Sequence, residues 1–269
     1  MPAEKYPYYL ASIIKLVTGV KPWLQVVQVF LRQAPPGVQI IELRQTGIRF
    51  KTRGALDIWS VKETFLDRFY EKFGVPIKNG WTVVDIGGGI GDFSIFAACR
   101  YPQNSVFTFE PTPESFALLQ ENLRLNGIEN VHAFPEAIWS ENGRLAINTS
   151  IGEPGQFTSQ PVEGTPPADG QVIVPGISLA EVFSRLGLTH CDLMKMDCEG
   201  AEFGILFNTP DEVLERIERI VMEYHDSHPP HTHEDLAEFL AKKGYRVETF
   251  QNYVHADLGY LRATRSSNG

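Results

Sequence analysis

Residues 81–265 predict a doubly wound α/β fold on a mostly parallel seven-stranded sheet, with one antiparallel strand near the C-terminus. Three observations predict it. Short apolar runs alternate with segments of helical periodicity, which implies strands covered on both faces. A glycine-rich turn, "VVDIGGGIGDFSIF" (Val83–Phe96), closes the first run and leads directly into a helix. The last two runs are joined only by Gln251–Ala256, too short for a crossover, so one of them runs antiparallel.

The strands are expected at Trp81–Ile86, Ser105–Glu110, Val131–Phe134, Asp192–Asp197, Ile217–Tyr224, Tyr245–Phe250 and Leu258–Arg265. Helices are expected at Asp92–Arg100, at Pro113–Asn126, around Ala201–Arg216, and at Glu234–Lys243. Asn126-Gly127 and Gly244 supply the stops. Residues 1–80 form an N-terminal extension. Within it Tyr8–Arg32 is apolar and interrupted by Pro22, a pattern for two short helices packed as a lid or flank. Attachment to a membrane surface is the other reading of that stretch. Val38–Gly54 alternates around Gln45-Thr46-Gly47 and reads as a β-hairpin. Ser60–Gly74 has apolar residues at helical spacing, with Ser60 as N-cap, Glu63 three residues on and Gly74 at the stop. Residues 152–176, rich in Gly, Pro, Ser and Thr, read as a loop insertion, and 266–269 as a disordered tail.

Composition limits the function. The chain of 269 residues is 43% hydrophobic and can bury a full core. Its net charge of −9 argues against broad electrostatic capture of nucleic acid or anionic membrane. Cys99, Cys191 and Cys198 are too few for a disulfide framework, so a reduced, cytoplasmic setting is expected. No apolar run reaches the roughly 18–20 residues that span a bilayer. The N-terminus lacks the basic lead and cleavage site of a signal peptide.

The glycine run requires a backbone that passes close to a ligand. The dinucleotide pattern G-x-G-x-x-G/A fails at its third position, which is Asp92, and no Gly-Lys-Ser/Thr follows for a phosphate loop. What stands is D-x-G-x-G-x-G: Asp85, Gly87, Gly89 and Gly91. Here the sequence resembles the Rossmann-like S-adenosylmethionine-dependent methyltransferases. The resemblance implies that Asp85 faces the cofactor's methionine end and that the three glycines make room for its adenosine. It also implies that an acidic residue ending the second strand binds the ribose diol. Glu110, with Pro111 behind it, stands at that place, and a carboxylate suits two hydroxyl donors. A solvated strand end is the plainer account of Glu110. "FPEAIWS" (Phe134–Ser140) occupies the adenine position, where Glu136 would accept from the amino group and Ala137 would line the ring.

A second stretch narrows the family. "DLMKMDCEGAEFGIL" (Asp192–Leu206) contains D-x-E-G-x-E as Asp197, Glu199, Gly200 and Glu202, and "FEPTPESFALLQENLRLNG" lies upstream. Together they resemble the FkbM family of methyltransferases over about Val38 to Arg265. The chain departs from that family mildly, with glycine in place of Ala-Asn in the loop and with Cys198. The resemblance implies methyl transfer to a hydroxyl of a small metabolite, sugar or lipid-linked glycan. Asp197 would hold the cofactor's ammonium or take the hydroxyl proton; Glu199 and Glu202 also suit a helix N-terminus. Aminopropyl transfer on the same loop and a non-catalytic adenosyl-binding module are the alternatives. No Asn/Asp-Pro-Pro-aromatic motif points to nucleic-acid methylation.

Four of the seven histidines fall at 225, 228, 231 and 233. Their spacing matches no helical metal pair, and Thr232 suits a helix cap paired with Asp235. Glu223 and His225 sit two apart on one strand, at the carboxyl edge beside Asp197. His225 is the expected general base, with Asp197 and Glu223 as the other candidates. A divalent metal held by residues 197, 199, 223 and 225 is an option but not the expectation.

Overall fold

Apolar runs leave the central strands no face for solvent, and seven strands pair into one sheet. A computed structural model describes residues 5–34, 37–148, 158–161, 169–226, 230–252 and 257–266. The extension begins with α1 (Lys5–Gly19), β1 (Val20–Lys21) and α2 (Trp23–Phe30). Next come the hairpin strands β2 (Gln39–Leu43) and β3 (Arg49–Thr52), and β1 pairs onto β2 to make a three-stranded sheet.

The helix expected at Ser60–Gly74 differs. It starts earlier, as α3 (Ala55–Val61), so Ser60 is interior and caps nothing. Asp57 nucleates that earlier turn: its carboxylate accepts the Arg53 N–H at 2.7 Å and pairs with the Arg53 guanidinium at 2.9 Å. The backbone then widens into π-helical turns at Lys62–Asp67, reverses at Arg68 with φ +54°, and resumes π-helical at Tyr70–Gly74. Such turns re-aim side chains and are frequent at functional sites.

The main sheet is made by β4 (Thr82–Ile86), β5 (Ser105–Phe109), β6 (Val131–Phe134), β11 (Leu193–Met196), β12 (Arg219–His225), β13 (Tyr245–Gln251) and β14 (Leu258–Arg265). Their order is β13-β14-β12-β11-β4-β5-β6. Only β14 opposes its neighbours. Strand order reverses between β4 and β11, the switch point at whose carboxyl edge doubly wound sheets bind ligands. The covering helices are α4 (Asp92–Arg100), α5 (Pro113–Leu125), α6 (Leu179–Arg185), α7 (Glu202–Phe207), α8 (Asp211–Leu214) and α9 (His233–Lys242). The single helix expected around Ala201–Arg216 is thus two, broken at Pro210, which lacks the N–H to continue a helix.

Sequence patterning missed a second sheet. It comprises β7 (Ala137–Trp139), β8 (Gly143–Asn148), β9 (Thr158–Pro161) and β10 (Gln171–Ser178), in the order β7-β10-β8-β9. The end of the expected loop insertion is therefore strand from Gln171; residues 149–157 and 162–168 lie outside the described residues. So do 267–269 of the expected tail.

The extension is fastened to the main domain by one fully buried side chain. Asn122 on α5 donates to the carbonyls of Lys51 and Ile90, at 3.2 and 2.9 Å, and accepts the Lys51 N–H at 2.7 Å. Replacing Asn122 with Ala strands two carbonyls and one N–H away from water. We expect denaturant unfolding to show a loss of about 2–4 kcal/mol.

Candidate active site

A cavity of about 560 Å³ opens at the carboxyl edge of β4, β5, β11 and β12. The glycine loop forms its floor. Gly87 has φ +80°, and a Cβ there would stand 1.8 Å from the Asp197 carbonyl oxygen, so only glycine lets the loops after β4 and β11 meet. Gly89, at φ +52°, faces the other way: a Cβ built on it meets no atom within 4 Å, because this part of the loop borders open cavity. Gly91 caps α4 behind the wall and does not line the cavity.

Asp85 stands elsewhere than expected. It is wholly buried and absent from the cavity wall. Ser94 and Thr108 donate to its Oδ2 at 2.6 and 3.2 Å, and Lys195 Nζ lies 3.1 Å from Oδ1. Its charge is thus spent on Lys195, whose Nζ also donates to the Gly87 carbonyl at 2.7 Å. Desolvation pulls the Lys195 ammonium down, but Asp85, then Asp197 and Asp92, outweigh it and hold it protonated.

Glu110 and Pro111 line the cavity as expected positions. The Glu110 oxygens accept the N–H groups of Gly89 and Thr112, both at 2.8 Å, which moors the glycine loop to the end of β5. Burial nonetheless raises its pKa. Each oxygen keeps a second lone pair for a ligand hydroxyl. Ala137 lines the cavity, with Ile138, Trp139 and Leu145 of the second sheet beside it. Glu136 does not: Arg185 grips its carboxylate with both guanidinium nitrogens, one at 2.7 Å. The residue expected beside the adenine is thus paired with Arg185 outside the cavity lining.

The far end of the cavity is acidic. Asp197 follows β11 and accepts from the Tyr70 hydroxyl at 3.3 Å. Glu63, from the π-helical stretch, accepts from the Trp59 indole at 2.8 Å. Burial pushes Glu63 up to about 7 against the opposing pull of Lys62. Burial also pushes Glu223 well above the usual carboxylate range, with the charges of Asp197 and Glu63 adding to it. Glu199 holds a left-handed φ of +54°, a strained setting for a residue with a side chain. Burial and then Asp197 carry it up to about 7.

His225 ends β12 between two of these acids: Nε2 is 3.5 Å from Glu199 and Nδ1 3.6 Å from Glu202. The longer contact is an ion pair rather than a hydrogen bond, and among the described residues neither His225 Nδ1 nor Glu202 Oε2 has a hydrogen-bond partner. Desolvation lowers the imidazole pKa, but Glu202, then Asp197 and Glu199, outweigh it and bring it to about 10. Glu202 is held below its usual range: burial raises it, but His225 and the Cys198 N–H, at 2.9 Å, more than compensate. A ring held charged at neutrality does not favour His225 as the base, because an imidazolium cannot accept a proton.

Sequence reading also missed Tyr260. It faces Glu223 directly across the β12–β14 register and lines the cavity. Its ring stacks on Phe73 at 4.7 Å, and its buried hydroxyl has no hydrogen-bond partner among the described residues. Only the strand pairing could have revealed it. The other histidines do not converge here. His233 pairs with Asp226 at 2.6 Å, His231 lies 3.7 Å from Asp235, and His228 is outside the described residues. Thr232 and Asp235 make the expected helix cap. Among the described residues no group of three or more His, Cys, Asp or Glu side chains is arranged to hold a metal ion.

Comparison with known proteins gives the family. The model of the methyltransferase FkbM domain matches residues 85–247. "Methyltransferase 1" of Beauveria bassiana is 29% identical over 182 residues, covering 62% of this chain and 72% of the relative. The 31-O-demethyl-FK506 methyltransferase FkbM of Streptomyces tacrolimicus is 27% identical over 61% of this chain and 73% of its own length. Methyltransferase sdnD of Sordaria araneosa is 29% identical over 69% and 81%, respectively.

Nitrogen-resolved NMR should find the His225 ring still protonated at pH 8, with a midpoint near 10. A folded-state value above the ordinary 6.5 makes the pair's stabilisation complete below pH 6.5 and lost as pH rises toward 10. Thermal melts of wild type and His225→Gln should therefore differ most below pH 6.5 and converge above pH 10. A ring titrating near 6.5 contradicts this arrangement.

Proposed function

Since the chain belongs to the FkbM methyltransferase family, we propose that it transfers a methyl group from S-adenosylmethionine to a hydroxyl of a small metabolite, sugar or lipid-linked glycan. The observation that carries the hydroxyl acceptor is Glu199, a carboxyl near pH 7 on the cavity wall, suited to receive a hydroxyl proton. The cavity residues fit the cofactor: an open glycine cradle at Gly89, a ribose acceptor at Glu110 and an apolar slot at Ala137 and Ile138. When bound, S-adenosylmethionine supplies an electrophilic methyl on a cationic sulfur.

The chain's own residues do the rest. Gly89, bordering open cavity, would admit the cofactor close to the loop backbone, and Glu110 would take its ribose diol. Asp197, oriented by Tyr70, receives the ammonium. Glu199 accepts the proton as the acceptor oxygen attacks. Glu223, its pKa raised by burial and by the charges of Asp197 and Glu63, and Tyr260, opposite it, would hydrogen-bond acceptor oxygens. His225 acts through Glu199 and Glu202, fixing the motif helix and limiting how far the acids repel one another. Alignment of oxygen, methyl and sulfur is the main demand of such a displacement.

Calorimetry should show binding of S-adenosylmethionine and its demethylated product, and none of NAD. Glu110→Ala should weaken that binding by about 1–3 kcal/mol, through the lost charge-assisted hydrogen bonds. NAD affinity without an adenosylmethionine signal removes the reading.

A mass-gain screen of hydroxylated metabolites identifies the acceptor, and kinetics on it test the base. The rate should rise with pH through about 7 as Glu199 ionises. Glu199→Gln should cut kcat by roughly 10²–10⁴-fold and abolish that limb, with cofactor affinity kept. Wild-type turnover in Glu199→Gln would leave Asp197 or Glu223 as the base.

A further inference from the structure

The α1–α2 pair presents an apolar face to solvent. Leu10, Ile13 and Ile14 project from α1 at helical spacing, and Trp23, Leu24 and Leu31 project from α2 and its end. Leu10 is 62% exposed, Leu24 60% and Ile14 56%. A contiguous apolar face of this kind marks a binding surface.

Charge identifies the partner. Residues 5–34 contain Lys5, Lys15, Lys21 and Arg32 and no acidic residue, in a chain of net charge −9. The overall negative charge that opposes broad electrostatic capture is thus carried elsewhere. Lys15 and Lys21 pair with Asp67 and Glu42, yet their side chains stay about half exposed, at 49% and 51%. Leu and Ile flanked by Trp, Tyr and Lys is the composition of a helix lying in a bilayer interface. No helix among the described residues is long and apolar enough to cross a membrane.

The same face adjoins the cavity. Trp59 lines the cavity wall, and Tyr8, Tyr9 and Phe30 ring it at 6.0–6.2 Å. Tyr9 and Phe30 belong to the exposed face.

We propose that the outward face of α1 and α2 docks on an anionic lipid bilayer, with Leu10, Ile14 and Leu24 inserted at the headgroup level. The lysines at its margins would meet lipid phosphates, and the cavity wall at Trp59 would stand beside the membrane.

The test uses the full chain and vesicles of equal parts phosphatidylcholine and phosphatidylglycerol. The protein should float with these vesicles and not with phosphatidylcholine alone, and added salt should weaken the association. Leu10→Glu with Leu24→Glu should reduce partitioning at least roughly tenfold while adenosylmethionine calorimetry stays unchanged. A readout that needs no charged variant is quenching of tryptophan fluorescence by brominated lipid, which should largely vanish in Trp23→Phe. Absence of flotation and quenching overturns the proposal. So does a stable dimer in light scattering that Leu10→Glu with Leu24→Glu dissolves, because a second copy would then cover the face.

Discussion

The buried ion pair between Lys195 and Asp85 is the interaction on which the site depends. The two residues are register partners on adjacent parallel strands, β11 and β4, at the point where strand order reverses. Lys195 also holds the Gly87 carbonyl, so one ammonium fixes the sheet's centre and the first residue of the glycine loop. Removing either partner of a buried pair costs about 3–5 kcal/mol, because the other charge is left desolvated. With that loop fixed, the Asp197 backbone can pass against Gly87, and Glu110 can moor Gly89.

Around this anchor the cavity concentrates acids that bury one another's charge. Glu63, Glu199 and Glu223 are raised first by burial and then by neighbouring acids, while Arg53, Lys195 and His225 are each committed to carboxylates of the chain. The result is a set of carboxyls spread across neutrality rather than uniformly ionised. Groups in such a state can donate, accept or take up a proton at one site. The environment also shifts the histidine: a residue that titrates near neutrality in water is raised to about 10 between Glu199 and Glu202.

The N-terminal extension is part of this site. Its π-helical turns deliver Glu63 and Tyr70 to the cavity, its Asp57–Arg53 pair starts the helix that carries Trp59, and Asn122 clamps its hairpin to the glycine loop. The same extension carries the apolar face of α1 and α2, which meets the cavity wall at Trp59.

The sequence by itself determined the layers and the ligand edge. Buried runs read as β4, β5, β6, β11, β12, β13 and β14 fall within a residue or two of the observed strands, because strands covered on both faces must be apolar throughout. The glycine pattern and the Asp197–Glu202 motif located the loops after β4 and β11, since close backbone approach restricts residue type. Tertiary structure alone decided which side chains face the cavity. Asp85 and Glu136 carry the expected chemistry, but Lys195 and Arg185, distant in sequence, neutralise them. The charge of His225 was illegible because it depends on carboxylates 23 and 26 residues away in sequence, brought to 3.6 and 3.5 Å. Tyr260 was invisible for the same reason: it meets Glu223 only through strand register. Periodicity reports which face of an element is buried, whereas pairing and proton affinity depend on contacts that form only when the chain closes.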